Sequence, residues 1–518
     1  MKYFFSLLLS IAIISVATAQ DFKKVQTPLI LGKVQDAKKE IDKISIDPKF
    51  SSKPETWYWK SRIYAKLFSE EGKIQIGMSK EKVNEIFSAP DDSKTTTTAA
   101  GTTQMNFYNK YELVVSFDVN GKVDYISSWK SGDELPKKSN SRNFLEAKDA
   151  FEKYINFDPS LGLVKTNGAD GFFDMYATSF GRGIESFKIK DYNTASSAFE
   201  SAVFYSDYIF KNKWASSQQP FDTTSILYCA YSFQNAQKPD DAVKYYTRLA
   251  ESKVTGEGFA DIYKYLVDYN TKKKNKEGFE KYMALGKEVY PKENWEDFEI
   301  EYIDQNYDLA GKTALYDEMD AAGTLTETKY LQFGDVFVSV RNNDGVDSVT
   351  IDKYNRKAID AFKKAYGKNN NNAIAAFNVG VTYYNFFNLE DDKYAANIKK
   401  LQEINANKPV VKDPKKKAAA DAEHKAKVDA IKNENAAIEK VSMENVDIAA
   451  EWLTKSYLIL KDKTPRSNTE KSVINKSVDF IANIYYYKMG RVRGKDAKLF
   501  DQYEAKYKEF DALHSSFK

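Results

Sequence analysis

Few residues of this chain belong to the types that usually carry chemistry. The sequence has one cysteine, Cys229, and two histidines, His424 and His514, which we expect to face solvent. A single cysteine cannot close a disulfide within the chain. Zinc sites made of four cysteines, or of two cysteines and two histidines, cannot be built either. Catalysis that rests on several histidines is excluded for the same reason.

The remaining candidate motifs are incomplete. Gly311-Lys312-Thr313 has the ending of a phosphate-binding loop, but Asn306 stands where the first glycine is required. Cys229 occupies a position of a predicted helix that packs in a core, and no His or Lys lies close to it along that helix. The acidic run Glu390-Asp391-Asp392 lacks the spacing of a calcium-binding loop. We therefore expect no catalytic, cofactor-binding or metal-binding residue, and no enzyme.

Composition points to a large protein with a substantial core. The 518 residues include 14% aromatics, which excludes global disorder and predicts several domains or one long array. Lys and Arg total 77 against 74 for Asp and Glu, so the net charge is +3. This near balance gives no support for a nucleic-acid binder driven by bulk charge.

The N-terminus is typical of an export signal. Residues 1–19 contain Lys2, an apolar stretch from Leu7 to Val16, and the cleavage pattern Ala17-Thr18-Ala19. No cysteine follows the cleavage site, so lipid attachment is not expected, and no later window is apolar enough for a direct membrane span. We expect an exported, periplasmic protein that meets the outer membrane only through a partner.

A repeat of about 34 residues runs along the rest of the chain, with large and small residues at fixed positions of two helices. Residues 179–202 fit without gaps: Gly183 and Ala195 are the small residues at positions 8 and 20, and Phe199 is the large residue at position 24. Residues 226–249 and 262–285 fit in the same way. The pattern resembles the tetratricopeptide repeat (TPR) family. That resemblance implies a mostly α fold, an α-solenoid of helical hairpins.

Three further hairpins fit only if insertions separate their two helices. Each first helix is followed late by its partner: Trp57–Tyr64 by Ala147–Tyr154, Tyr330–Phe337 by Ala358–Ala365, and Ala376–Tyr383 by Ala449–Ser456. Loop closure tolerates this, since each doubling of loop length costs about 0.6 kcal/mol. The domains expected are a signal peptide (1–19), N-terminal TPR helices (20–73), an α+β insertion (74–131), a TPR array (132–387), a charged insertion rich in Ala, Lys and Glu (388–445) and C-terminal TPR helices (446–518).

The first insertion combines a helix with strands. Ser79 is the expected N-cap of the helix, and a polar loop is expected over Thr95–Thr103. The expected strands are Gln104–Tyr108, Glu112–Val119 and Lys122–Ser127. Asn120-Gly121 predicts a type I′ hairpin between the last two, and the alternation from Leu113 to Val119 predicts one buried face.

The order of these motifs resembles the SmpA/OmlA (BamE-like) family. The matching residues are Gly77, Met78, Val83, Pro90, Tyr108, Phe117, Gly121, Lys122 and Val123. Ala89 stands where the family usually has glycine. The resemblance implies a small envelope module that binds other proteins. The alternative is an insert that only stabilises the fold.

The charged insertion has no Phe, Tyr or Trp between Tyr394 and Trp452. Its Ala, Lys and Glu composition favours a solvated helix with ion pairs four residues apart. We expect a projecting helical arm or a mobile spacer. A basic contact with acidic lipid or nucleic acid is the alternative, but interleaved acidic residues argue against it.

The TPR resemblance also implies a concave groove lined by first-helix positions 5, 9 and 12. Positions 5 and 9 of the six first helices give the residues expected to bind a partner. These are Tyr58, Arg62, Phe180, Ile184, Leu227, Tyr231, Tyr263, Val267, Leu331, Asp335, Phe377 and Val381. The Lys and Asn that grip a carboxylate terminus in one TPR subfamily are missing. A mostly apolar groove suits an apolar helix or extended segment of a partner, although some of these residues could instead pack inside the superhelix.

The leading hypothesis is an exported, non-enzymatic scaffold for protein partners in the cell envelope, with a role in outer-membrane protein assembly or secretion as one version. Two alternatives stay open. One is an enzyme with a carboxylate or Ser/Lys site in the groove, and the other is a soluble carrier of peptides or small ligands.

Overall fold

The computed structural model describes residues 22–132, 141–410 and 414–517. The export signal expected over residues 1–19 lies outside the described residues. The chain divides between Trp295 and Glu296 into two compact units, which are described separately.

The first unit is built mainly from helices. Its described helices are α1 (residues 22–30), α2 (Val34–Ile46), α3 (Pro54–Glu71), α4 (Lys80–Phe87), α5 (Arg142–Phe157), α6 (Gly162–Asn167), α7 (Asp170–Lys188), α8 (Tyr192–Lys211), α9 (Thr223–Asn235), α10 (Pro239–Glu251), α11 (Ala260–Lys272) and α12 (Lys276–Val289). Its strands are β1 (Asp92–Thr98), β2 (Gly101–Tyr108), β3 (Leu113–Phe117) and β4 (Val123–Ser128).

The second unit is helical throughout its described part. Its helices are α13 (Glu296–Asn306), α14 (Leu309–Ala321), α15 (Glu327–Ser339), α16 (Ser348–Lys368), α17 (Ala373–Ala406), α18 (Pro414–Leu460), α19 (Asn468–Val492) and α20 (Ala497–Asp511).

Helices pair with their neighbours along the chain, as in TPR hairpins. In the first unit α3 pairs with α5, α7 with α8, α9 with α10 and α11 with α12, and α8 also packs on α9. In the second unit α15 pairs with α16, α17 with α18 and α19 with α20. The predicted pairing of helices across the insertions is confirmed, and each unit has a TPR-like fold.

One turn geometry recurs between first and second helices. Lys190, Gln237 and Lys274 each have a positive φ, of 62°, 59° and 55°. In each case the next residue donates its N–H to a carbonyl five residues earlier at 2.9 Å, which satisfies an orphan carbonyl at the end of the first helix. Asp191 then caps α8 by accepting the Thr194 N–H at 3.2 Å.

Small residues let paired helices approach closely. A Cβ added at Gly183 would lie 2.6 Å from the ring of Phe199, which is fully buried. The same contact joins Gly334 to Phe362 and Gly380 to Leu453, across two of the insertions. Positions 8 and 24 of the repeat therefore meet where the sequence predicts.

The first insertion folds as one helix against a four-stranded antiparallel meander in the order β1-β2-β3-β4. Val83 and Phe87 of α4 pack on Leu113, Val115 and Phe117 of β3. Ser79 caps α4, as predicted, by accepting the Lys82 N–H. The insert is fastened to the helices by a Lys38–Glu112 ion pair of 3.0 Å and by contact of β4 with α5.

The polar loop predicted over Thr95–Thr103 is wrong. Most of that segment lies in β1 and β2, which pair through Thr97 with Thr102 and Thr96 with Thr103. Threonine is β-branched and suits an extended strand. All residues of β1 are exposed, so no apolar alternation reveals the strand in the sequence.

The type I′ hairpin predicted at Asn120-Gly121 is also wrong. Only Gly121 has a positive φ, of 69°. The Asp118 carboxylate accepts the N–H groups of Asn120 at 2.9 Å and Lys122 at 2.8 Å, which holds a longer turn and keeps the pKa of Asp118 below its usual value. As a result, Val119 lies in the turn, 45% exposed, rather than on the buried face.

The charged insertion is the continuation of α17 and α18 into an antiparallel two-helix arm. At its base, Ser456 Oγ donates to the Ala373 carbonyl at 2.8 Å. Farther out, Lys408 pairs with Asp421 at 3.0 Å, and His424 lies 3.2 Å from Asn405 Oδ1.

Candidate functional site

Helices α3, α7 and α9 are the first helices of their hairpins in the first unit, and their shared side carries the candidate site. Asp222 caps α9 by accepting the N–H groups of Thr224 and Ser225, both at 3.1 Å. Tyr176 of α7 donates its hydroxyl to the other Asp222 oxygen at 2.7 Å. Burial, with this bond, raises the pKa of Tyr176 to about 12. The bond fixes α7 against the start of α9.

An aromatic strip, defined here as Phe180, Phe187, Tyr228 and Tyr231, crosses from α7 to α9. Ring centroids are 6.2 Å apart for Phe180 and Tyr228, 5.6 Å for Phe187 and Tyr228, and 5.8 Å for Phe187 and Tyr231. Three of these rings are half-buried, and Tyr231 is 46% exposed. The strip therefore presents ring faces and edges to solvent from a fixed backbone.

The strip is supported from beneath by the repeat core. Tyr228 stacks on Phe199 with centroids 5.3 Å apart and planes 22° from parallel. Phe199 is itself held against Gly183. The small residue at position 8 of the repeat thus fixes the position of Phe199, which supports the half-buried ring of Tyr228.

The apolar surface of α7 extends beyond the strip. Phe173, Phe180 and Phe187 are spaced seven residues apart, which places them on one side of a helix. Fourteen residues of helix span about 21 Å. Phe173, at 36% exposed, lies at the other end of this row.

A charged cavity of about 440 Å³ lies beside Phe173. Its lining residues are Leu29, Gly32, Val34, Arg62, Lys66, Asp170, Phe173 and Asp174. Arg62 forms an ion pair with Asp170, whose side chain is 65% exposed. Burial raises the pKa of Asp174, and the charge of Lys66 opposes that rise. Since Asp170 is exposed, the cavity does not hold two buried carboxylates of the glycosidase kind.

The residues expected to bind a partner fall into three classes of exposure. Two are exposed: Tyr231 and Asp335. Seven are half-buried: Arg62, Phe180, Ile184, Leu227, Leu331, Phe377 and Val381. Three are buried: Tyr58, Tyr263 and Val267. The last four in chain order, Leu331, Asp335, Phe377 and Val381, belong to the second unit.

Tyr58 is a correction to the expected groove, because the segment before α7 covers it. Its hydroxyl donates to the Gly168 carbonyl at 2.9 Å, and Arg62 donates to the Asn167 carbonyl at 2.6 Å. Both carbonyls belong to the α6 segment, a short helix that the repeat pattern does not predict.

Tyr263 and Val267 are corrections of the same kind. The hydroxyl of Tyr263 donates to the Ala250 carbonyl at 3.3 Å, and its ring packs edge-on against Tyr290 at 5.6 Å. Val267 has no exposed surface. These side chains point between helices, so a partner cannot reach them.

Phe187 and Tyr228 belong to the site but were not among the expected residues. Phe187 stands at repeat position 12, which the TPR resemblance assigns to the groove, so extending the pattern to that position finds it. Tyr228 follows Leu227 and has no such signal, since its role depends on Phe187 and Phe180 lying opposite on another helix.

The incomplete motifs have structural roles. Gly311 donates its N–H to Asp308, the N-cap of α14, at 2.7 Å, and Lys312 pairs with Asp304 at 2.5 Å. Cys229 is fully buried, as predicted, and burial raises the pKa of its thiol. His514 is exposed, as predicted, whereas His424 is half-buried, which differs from the expectation.

Within 22–132, 141–410 and 414–517, no group of three or more His, Cys, Asp or Glu side chains is placed to hold a metal ion. In the same part of the chain, no helix is long and apolar enough to cross a bilayer.

No protein-family model matches the chain, and no curated protein matches it either. Among solved structures, the chain is similar to the human IFIT1 dimer with m7Gppp-AAAA, at 13% identity over 73% of this chain and 69% of that one, with a TM-score of 0.17. The human IFIT1 dimer with PPP-AAAA gives 13% identity over 73% and 70% of the two chains, with a TM-score of 0.15. Scores this low imply no shared ligand or site. The TPR-like fold rests on the helix pairing within each unit.

Proposed function

We propose that this protein is a non-enzymatic, exported scaffold that holds an apolar segment of a partner protein in the cell envelope. The observation that carries the proposal is the aromatic strip across α7 and α9. Aromatic rings held on rigid helices bury large area at little entropic cost, which is why such residues dominate protein interfaces.

The shape of the row on α7 indicates the kind of segment. From Phe173 to Phe187 it extends about 21 Å, the length of a helix of about 14 residues. An amphipathic helix with apolar residues on one side matches a single row of rings. The charged cavity at the Phe173 end offers Lys66 to a polar group of the same segment.

The envelope location rests on the sequence. The export signal pattern of residues 1–19 and the resemblance of the insert to SmpA/OmlA (BamE-like) modules both support it. In this proposal the insert is a second docking surface, and outer-membrane protein assembly or secretion is the process served.

Photo-cross-linking in intact cells tests the proposal. A photo-reactive phenylalanine analogue is placed at Tyr231 on the strip or, as a matched control, at Phe204 of α8, which is 41% exposed. We expect Tyr231 to give one discrete protein adduct, identified by mass spectrometry, and Phe204 to give none. Equal adducts from both positions, or no adduct from Tyr231, would contradict the proposed surface.

A further inference from the structure

The segment after α20, residues 512–517, folds back onto the second unit instead of leaving it. We call these residues the tail segment. Leu513 and Phe517 pack against apolar clusters formed by α17, α18 and α19. The hydrogen bonds of Phe517 reach Asn475, 42 positions away, so the fold-back is a tertiary interaction and not a local turn.

Asn475 of α19 clamps the backbone of Phe517. Its Nδ2 donates to the Phe517 carbonyl at 3.1 Å, and its Oδ1 accepts the Phe517 N–H at 3.4 Å. One side-chain amide thus satisfies both backbone polar groups of one residue. Because both bonds are made to backbone groups, they do not depend on which side chains flank the bound residue.

The ring of Phe517 contacts a cation and another aromatic ring. The Arg466 guanidinium lies 5.3 Å from the ring centroid, and Tyr457 meets the ring edge-on at 6.2 Å. Arg466 is fixed in turn, because it donates to the Leu460 carbonyl at 2.8 Å. A cation over the ring face and an aromatic edge together favour an aromatic side chain over an aliphatic one.

The rest of the tail segment is held only at the surface. His514 Nδ1 lies 2.6 Å from Asp479 Oδ1, and both side chains are exposed. Ser515 and Ser516 are exposed as well. Detaching a segment with few buried contacts costs a small fraction of the free energy of global unfolding. The tail segment can therefore detach while the helices stay folded.

We propose that Tyr457, Arg466, Asn475 and Asp479, together with the apolar cluster against which Leu513 packs, form a peptide-binding site, the tail site, which recognises the pattern Leu-x-x-x-Phe. The tail segment, with Leu513 and Phe517, is its resident occupant. A partner peptide with the same pattern competes for the site. The tail site goes beyond the proposed function, since it belongs to the other unit and binds another kind of segment.

The test uses a chain that ends after Ala512, which keeps α20 and its C-terminal residue. The probe is a fluorescent, amidated peptide with the sequence of residues 511–517, and binding is followed by anisotropy. We expect the shortened chain to bind the peptide and the intact chain to bind it at least about tenfold more weakly, because the resident segment leaves only a small competent fraction.

Two substitutions in the shortened chain locate the binding. Asn475→Ala should abolish it, whereas Lys476→Ala, at an exposed neighbour on α19, should leave it unchanged. A peptide in which alanine replaces the phenylalanine should not bind. If the shortened chain keeps its helical circular dichroism and fails to bind, or if Asn475→Ala binds as well as its parent, the tail site is refuted.

If shortening the chain disturbs the fold, the full-length Phe517→Ala variant replaces it. This variant removes only the resident ring, so it should bind the added peptide more tightly than the intact chain does. Equal binding by the two would overturn the proposal. Neither result bears on the strip in the first unit, whose cross-linking test uses a different surface.

Discussion

Three residues connect the repeat to the surface it presents. Gly183 makes room for Phe199, and Phe199 supports Tyr228 of the aromatic strip. Protein interiors are close-packed, so adding one methyl group at such a contact forces the neighbouring side chains to move. The small residue of the repeat therefore has two effects, one on stability and one on the geometry of the site.

Gly183→Ala should destabilise the first unit by about 1–3 kcal/mol, because the new Cβ would overlap the buried Phe199 ring. Gly181 is the matched control on the same helix, since a Cβ there meets nothing within 4 Å. Gly181→Ala should stabilise by about 0.5–1 kcal/mol through helix propensity. Urea unfolding followed by circular dichroism measures both. Equal effects would show that the close contact carries no energy.

Hairpins and inserts differ in how much they contribute to the core. The apolar cluster between α17, α18 and α19 contains Phe387, Val446 and Leu453, all near the base of the arm. Farther out, among the side chains that the structure describes, buried ones are few and mostly polar, such as Asn397 and Asn435. The arm therefore extends from a core to which it adds little.

Replacing residues 396–436 with a short glycine-rich turn should leave the second unit folded. We expect the free energy of unfolding to change by no more than about 1 kcal/mol, since a shorter loop costs slightly less to close. The helical circular-dichroism signal should fall in proportion to the number of helical residues removed. Leu453→Ala on α18 is the control, with an expected loss of about 2–5 kcal/mol because Leu453 is fully buried. A deletion as damaging as that substitution would show that the arm is part of the core.

The whole chain consists of two compact units that meet in sequence at Trp295 and Glu296. The cluster around Phe172 draws on the first unit only, and the cluster around Phe333 draws on the second only. A unit with its own core satisfies the main condition for folding by itself.

Residues 22–295 and 296–517, produced separately, should each show helical circular dichroism and a cooperative thermal transition. A cut after Lys238, between α9 and α10, is the control. It separates the two helices of one hairpin and should give fragments that aggregate or lack cooperativity. If either unit behaves like that control, the division at Trp295 is not a boundary between folding units.

Local physics explains why the hairpins could be predicted from sequence. The helical period places Gly183 and Phe199 at fixed positions on their helices, and a small residue facing a large one leaves few ways to pack. The match survives insertion, as Gly380 and Leu453 show, because an insert lengthens the connection without changing either helix face. Predictions failed where one short motif was taken alone, as at Asn120-Gly121, since Asp118 supplied hydrogen bonds that favour another turn.

The sequence by itself determined the TPR-like hairpins, the buried thiol of Cys229 and the exposure of His514. Only the tertiary structure decided which first-helix residues a partner can reach. Tyr58, at position 5 of its repeat, is covered by the α6 segment, whereas Tyr231, at position 9 of another repeat, stays exposed, although both positions were expected to line the groove. The physical reason is that accessibility depends on what other segments place above a side chain, and those segments come from distant parts of the chain.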